Sequence, residues 1–269
     1  MTIDQKKLVE EYKTHQAEGL GKGCGGDYRP WLDVRNTRSC AVRSTFWCLK
    51  LNRFVHVLSQ GEYAAFLQFE WMDDVIDIRE QFPLDPELTL SICSELKLLH
   101  PGFGRGGIVM TTDLLVTRRT KTGVSCEAYQ IKQNQAALAN RRTYAKLRVE
   151  EAYWRKKSVP WVVLFSEDFP RIRVFNLDRL RGYRAEKTIP ADLDRLAELF
   201  RNWRELYPDA VPSSLPVGVF ELPSGKEIRG EAAVLLLAAH KRLRFAIDNV
   251  RVDDCRLADF TEDADHAPA

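Results

Sequence analysis

No segment of the 269-residue sequence approaches the roughly 20 consecutive apolar residues that cross a bilayer, so no membrane partner is expected. The six cysteines (Cys24, Cys40, Cys48, Cys93, Cys126 and Cys255) include no CxxC pair and no Cys/His ligand spacing, which argues against a zinc module. Without an export signal, a disulfide framework is not expected in a chain this long, and reduced, mostly buried thiols are. The glycine-rich segment GLGKGCGGDYRPWLDV (19–34) lacks the Walker pattern, so it is a weak candidate for holding a nucleotide. A charge excess is missing too. Forty Lys and Arg against thirty-eight Asp and Glu leave +2, so any basic surface must be local. The polar start MTIDQKKLVEEYKTHQ does not look like a secretory leader, internal repeats are absent, and the five histidines have no partners at catalytic intervals.

A hydrophobic share of 45% is enough for a sizeable core, and the length allows two domains. Residues 3–16 have the pattern of a short amphipathic helix with Ile3, Leu8, Val9 and Tyr12 as apolar members. The 19–34 segment is expected as a loop pinned by its Tyr28–Trp31 cluster. Strand-like runs occupy 41–58, with Asn52 and Arg53 as the turn between them. Ser59 is placed to cap a helix from Gln60 to Met72. An extended run ends at Pro83, and 84–108 has the texture of an irregular excursion. Residues 108–118 and 124–132 form the arms of a hairpin turning at 120–123. A helix over 138–157 and the strand WVVLF (161–165) follow. Together these elements predict an α/β or α+β core around a mixed sheet. The texture changes near 168–173, which places a first domain over 1–170 and a second over 171–269. Within the second, 191–207 is strongly amphipathic, 230–242 is a helix, and the runs RFAIDN and VRVDDC are expected as the two arms of a wing. The tail from Thr261 is acidic.

Three polar residues stand in apolar settings. Asp113 lies inside IVMTTDLLV, where an unpaired carboxylate is costly to desolvate. Lys132 ends AYQIK, and Gln130, two residues earlier, shares its face. Glu62 falls within the apolar stripe of its helix, in register with Phe66 and Phe69. A buried ion-pair network accounts for such a set as well as a metal site does, and spacing alone does not separate the two. As a metal site, Glu62, Asp113 and the Gln130 oxygen would hold magnesium through hard oxygen donors, and Lys132 would serve a phosphodiester hydrolysis. The order helix Glu, strand Asp, then QIK is the PD-(D/E)xK nuclease pattern with a neutral amide where a second acid is usual.

The segments GKGCGGDYRPWLDV, HVLSQGEYAAFLQFEW, DIREQFPL, MTTDLLV, QIK, KLRVEEAYW and VPWVVLF follow in order. Over about residues 19–165 the chain resembles the TnsA family, the endonuclease subunits of heteromeric cut-and-paste transposases. The resemblance implies a restriction-endonuclease-like catalytic fold and a smaller C-terminal winged-helix-like domain. It also implies catalytic positions at Glu62, Asp113 and Lys132, with Gln130 helping to hold the metal; in that family, too, glutamine precedes the lysine. Magnesium is the implied cofactor, with manganese as a substitute. The implied role is cleavage at the 5′ ends of a transposon. The implied partners are double-stranded transposon-end DNA, a DDE-type transposase (TnsB) that handles the 3′ ends, and an ATP-dependent regulator (TnsC), in a bacterial cytoplasm.

Residues 141–157 carry seven basic and two acidic side chains, and Arg141, Arg142, Lys146 and Arg148 follow directly after the candidate strand. They are candidates for phosphate contact, against the alternative of an ordinary solvated helix face. Glu150 in the same stretch is expected as a solvated carboxylate. His240, Lys241, Arg242 and Arg244 are weaker candidates for DNA contact, and the C-terminal region serves equally well for docking partner proteins. Two other functions remain open from the residues: a stand-alone restriction-type nuclease, and a non-catalytic assembly or DNA-docking protein on a nuclease-like fold.

Overall fold

A computed structural model of the chain describes residues 2–32, 43–102, 107–184, 188–215 and 218–263. The chain divides into two compact units, Met1–Phe169 and Pro170–Ala269.

The first unit opens with helix α1 (Ile3–Ala17), started by a capping box in which Thr2 and Gln5 satisfy each other's backbone N–H groups. Leu8 and Val9 are buried, whereas Ile3 is exposed. The glycine-rich loop is pinned by its aromatic residues: Tyr28 is buried and donates to the Glu80 carbonyl, and Trp31 packs on Tyr12 and His15. Strands β1 (Ser44–Cys48) and β2 (Arg53–Val57) form a hairpin whose turn places Asn52 at φ 53°. Arg53 is not part of that turn. It opens β2 and is buried, because Glu80 supplies a bidentate partner at 2.7 and 2.6 Å. Residues 33–34 of the expected loop and 41–42 of the expected strand lie outside the described residues.

Helix α2 (Gln60–Trp71), capped by Ser59, precedes β3 (Val75–Pro83). The excursion expected over 84–108 instead begins with a helix, α3 (Pro86–Glu95). Asp85 caps it through the Glu87 N–H, and Pro86 at its first position already carries a helical φ. Residues 103–106 of that segment lie outside the described residues. Strands β4 (Thr111–Thr120) and β5 (Gly123–Lys132) follow as an antiparallel pair. Helix α4 (Arg141–Lys156) starts at the Asn140 cap, later than expected, after a short 3-10 turn. It leads to β6 (Trp161–Phe165), which pairs parallel to β5. A parallel pair needs a crossover connection, and α4 supplies it.

These strands make one mixed sheet of order β3-β4-β5-β6. Leu114, Val116, Tyr129 and Ile131 pack with Phe66 and Phe69 of α2 and with Val55 and Val57 of β2. On the opposite face, Leu115 and Ala128 meet Ile92 of α3 and Val149, Ala152 and Trp154 of α4. The sheet is thus buried on both sides, which suits its near-continuous apolar strands. The five cysteines among the described residues are free thiols.

The second unit contains α5 (Arg171–Arg184), α6 (Pro190–Leu206), the hairpin β7 (Val219–Glu221) with β8 (Glu227–Arg229), and α7 (Gly230–Ala239). Helix α7 is apolar around its circumference and almost wholly buried, so it forms the centre of this core. The expected wing is corrected. RFAIDN and VRVDDC do not pair with each other; β9 (Leu243–Arg244) pairs with β10 (Thr261–Glu262), and Val252–Asp254 is a 3-10 turn. The buried Asn176 amide holds the intervening chain by bonds to the Ile247 and Val250 carbonyls and the Val252 N–H. Tail residues 264–269 lie outside the described residues. Among the described residues, no helix is long and apolar enough to cross a membrane.

Candidate active site

Four local features of the first unit bring the singled-out residues together. Glu62 stands at the third position of α2. There Ser59 Oγ accepts its N–H at 3.1 Å and donates back to its Oε1 at 3.0 Å. The Leu58 N–H and the Gln81 amide donate to Oε2, at 2.9 and 3.2 Å. Gly61 makes the placement possible. A Cβ there would lie 3.0 Å from Ser166 and 3.2 Å from Ile131, so the first turn of α2 presses against the ends of β5 and β6.

The second feature is an interrupted ladder. The β4–β5 pairing runs from Thr120↔Gly123 to Leu114↔Tyr129 and stops there. At the next position the Asp113 carboxylate takes over the role of a backbone carbonyl. Its Oδ2 accepts the Ile131 N–H at 2.7 Å and the Gln130 amide at 2.6 Å. Gln130 Nε2 is thereby engaged, while its Oε1 is buried with no hydrogen-bond partner. A buried acceptor left empty is costly and calls for a donor or a cation. Lys132, half-buried at the strand end, donates from Nζ to the Ile131 carbonyl at 2.9 Å.

Third, Gln81 connects the strands in a way its residue type did not announce. It lies across from Asp113, between the pairs Glu80↔Leu114 and Phe82↔Thr112, with φ at +48°. A buried non-glycine residue in this left-handed region carries about 1 kcal/mol of strain or more. Its Nε2 reaches Glu62, and its Oε1 accepts from Thr111 at 3.0 Å. Gln81 belongs to the string DIREQFPL, but nothing in composition or spacing singles it out.

Fourth, Glu150 is not a solvated helix-face residue. It is 3% exposed and accepts from Thr112 Oγ1 at 2.7 Å and Trp161 Nε1 at 3.0 Å, while Trp154 Nε1 donates to the same threonine. The signal that could have placed it is its position between Val149 and Ala152, both on the buried stripe of α4.

The electrostatics follow from burial. Glu62 and Glu150 are each pushed up to about 8, first by desolvation and then by the neighbouring Asp113 carboxylate. Asp113 is raised by burial, against the pull of Lys132 and of its amide donors. Three carboxylates therefore share one low-dielectric region, with the Lys132 ammonium acting on Asp113 and Glu150. Among the described residues, no group of three His, Cys, Asp or Glu side chains is arranged as a ready metal cage. The candidate donor set is mixed: two carboxylates and one amide oxygen.

Arg141, Arg142, Lys146 and Arg148 are all exposed on α4. Lys146 is lowered by partial desolvation and by the cations Arg142 and Lys132, which places it near the strand end that carries the site. In the second unit, Arg242 and Arg244 are paired with Asp194 and Asp263.

Comparison with known proteins matches this region. The family model described as TnsA-like endonuclease N terminal covers residues 72–166, which include Asp113, Gln130, Lys132 and Glu150 but not Glu62. The transposon Tn7 transposition protein TnsA of Escherichia coli is 37% identical over 183 residues, 68% of this chain and 66% of that protein. The aligned part thus falls just short of two thirds of the relative's length. The family model and the relative agree, and the chain belongs to the TnsA family.

Proposed function

We propose that this protein is the endonuclease subunit of a heteromeric transposase and hydrolyses phosphodiesters at the 5′ ends of a transposon with magnesium as cofactor. The observation that carries the reading is the charge imbalance at the diverging ends of β4 and β5. Asp113 helps push Glu62 and Glu150 both up to about 8, Lys132 pulls on Asp113 and Glu150, and Gln130 Oε1 is buried without a partner. A divalent cation together with Lys132 would offset that charge, and Gln130 Oε1 is an oxygen donor of the kind magnesium takes. Glu62, Asp113 and Gln130 would hold it, with manganese as a substitute; bound there, it would supply Lewis-acid polarisation of the phosphate and a water of lowered pKa.

The chain's own residues do the rest. The Gln130 amide is locked to Asp113, which fixes the direction of Oε1. Ser59, Leu58 and Gln81 hold the Glu62 carboxylate in place, so little reorganisation is needed when substrate arrives. Lys132 brings a positive charge to the strand end where negative charge builds on the phosphate. Arg141, Arg142, Lys146 and Arg148 meet flanking phosphates without reading bases. Sequence choice then falls to partners, a DDE-type transposase (TnsB) and an ATP-dependent regulator (TnsC), and the second unit is where such partners or DNA would dock.

The test is strand-resolved cleavage of labelled transposon-end DNA with the partner transposase and magnesium, comparing wild type with Asp113→Ala. Breaks at the 5′ ends that vanish in the variant support the function and the site together. Equal cutting by both proteins removes the site assignment. Absence of 5′ breaks while the partner's 3′ breaks appear removes the endonuclease reading and favours an assembly protein.

A further inference from the structure

Segment 97–102 and the first turns of α4 enclose an open groove of about 580 Å³. Its cations come from two separate stretches of chain: Lys97 on one side, Arg141, Arg142 and Lys146 on the other. Among the described residues, no Asp or Glu lines it. Among the described residues, none of these four side chains has an ion pair or a hydrogen bond of its own, whereas Arg118 and Arg179 each hold two carboxylates. Uncompensated like charges around one depression repel each other, so the arrangement costs stability unless an anion enters.

Lys97 adds an independent observation. Helix α3 ends in a Schellman motif, in which the Leu98 N–H bonds to the Cys93 carbonyl and the Lys97 N–H to that of Ser94. The residue after the helix cap in this motif takes a left-handed backbone, and Lys97 has φ +55°. Glycine suits that position best and lysine poorly. Backbone conformation therefore does not call for lysine here, whereas a cation suits both the helix C-terminus and the groove that Lys97 lines.

The rest of the lining narrows the ligand. Leu99 is 78% exposed, an apolar surface beside the cations. His100 is already satisfied by Thr89 at 2.9 Å and the Pro101 carbonyl at 3.1 Å, so it forms wall rather than contact. Among the described residues, no Asn, Gln, Ser or Thr lines the groove, which offers cations and apolar surface. Cations set beside apolar surface match the alternating anionic and apolar groups of a sugar-phosphate backbone. The groove extends to Val149, next to Glu150 of the candidate site.

We propose that this groove grips the sugar-phosphate backbone of the DNA strand flanking the scissile phosphate, with Lys97 closing on it opposite α4. This rests on the nuclease reading above and extends it to a residue outside the basic helix.

The test is binding of the full-length protein to labelled transposon-end duplex across a salt series, alongside thermal melting. Lys97→Gly and Arg142→Gln are each expected to reduce the slope of log affinity against log salt by about 1, the loss of roughly one phosphate contact. Lys97→Gly should do so without lowering the melting temperature, because glycine relieves the backbone. Lys121→Gln, at the β4–β5 turn on the far end of the hairpin, should leave the slope unchanged. Wild-type affinity and slope in both groove variants would overturn the groove proposal while wild-type cleavage still upheld the nuclease reading. A wild-type protein that neither bound nor cut DNA in the presence of its partner transposase would overturn both.

Discussion

Glu80 and Asp113 lie on neighbouring strands of one sheet, both buried, in opposite electrostatic circumstances. Glu80 is wholly enclosed, and Arg53 meets both of its oxygens. The remaining Arg53 donors are taken by the Gly25, Phe54 and Ile78 carbonyls, and the guanidinium covers the Tyr28 ring at 5.1 Å. That cluster is neutral, closed and structural: it ties the glycine-rich loop to β2 and β3. Asp113 has no such cation of its own. It meets amide donors, and its field adds to the burial of Glu62 and Glu150. A buried charge by itself does not mark an active site. The difference lies in whether the surrounding protein has already answered it.

The largest effect should come from breaking the closed cluster. Arg53→Met leaves Glu80 buried and unpaired, at a cost of about 3–5 kcal/mol and a fall in melting temperature on the order of 10 °C. A shift of only a degree or two would mean that Glu80 finds water or another donor, and the contrast drawn above would fail.

Asp113→Asn should move stability the other way. Asparagine can still accept the Ile131 N–H, and one buried charge is gone, so the metal-free protein should gain about 1 kcal/mol at neutral pH while cleavage is lost. Calorimetry in chelator decides it. A loss of several kcal/mol would place Asp113 in the same structural class as Glu80.

Glu150→Gln sharpens the comparison by pH. A carboxyl raised from its ordinary 4.5 to about 8 binds its proton more tightly in the folded state. Its stabilising contribution is complete below about pH 4.5 and is lost as pH rises through about 8. Glutamine can keep the bonds to Thr112 and Trp161 without this loss. Without metal, wild type should melt progressively lower than Glu150→Gln from pH 5 to pH 8.5; parallel melting curves would show that Glu150 is not strained by its charge.

The smallest effect is expected at Gln81→Met, which keeps volume and backbone strain but removes the donor to Glu62 and the acceptor for Thr111. Stability should fall by about 1 kcal/mol, and half-maximal cleavage should need more magnesium. An unchanged magnesium dependence would reduce Gln81 to a packing residue.

Much of this site was visible in the sequence because charge inside an apolar run is conspicuous. Asp113 interrupts a β-branched strand and Glu62 breaks an apolar stripe, and the structure gathers both at one end of the sheet. What stayed hidden depends on partners remote in sequence. Arg53 looked like a turn residue because its partner Glu80 lies 27 positions away. The strand pair at Leu243–Arg244 has its mate beyond Val252, so local composition suggested a wing that does not form. Glu150 sits beside the exposed Glu151, and a two-residue acidic step on a helix does not say which side faces inward. Gln81 is distinguished by a backbone angle, which residue type does not encode. Helix α3 is a different case: Asp85, Pro86 and Glu87 form an ordinary helix start, but the irregular texture of 84–108 as a whole masks it.

The Asp113 carboxylate stands in for a backbone acceptor, and this gives the molecule an internal gauge. The Ile131 amide has that side chain as its hydrogen-bond partner where the ladder to β4 has ended. Its rate of exchange with deuterated solvent therefore follows the state of Asp113 as well as the opening of the sheet. Slow exchange at Tyr129 with a changed rate at Ile131 would separate an event at the carboxylate from unfolding of the strand. One amide proton can thus register protonation, cation entry or substitution at Asp113 before any phosphodiester is cut.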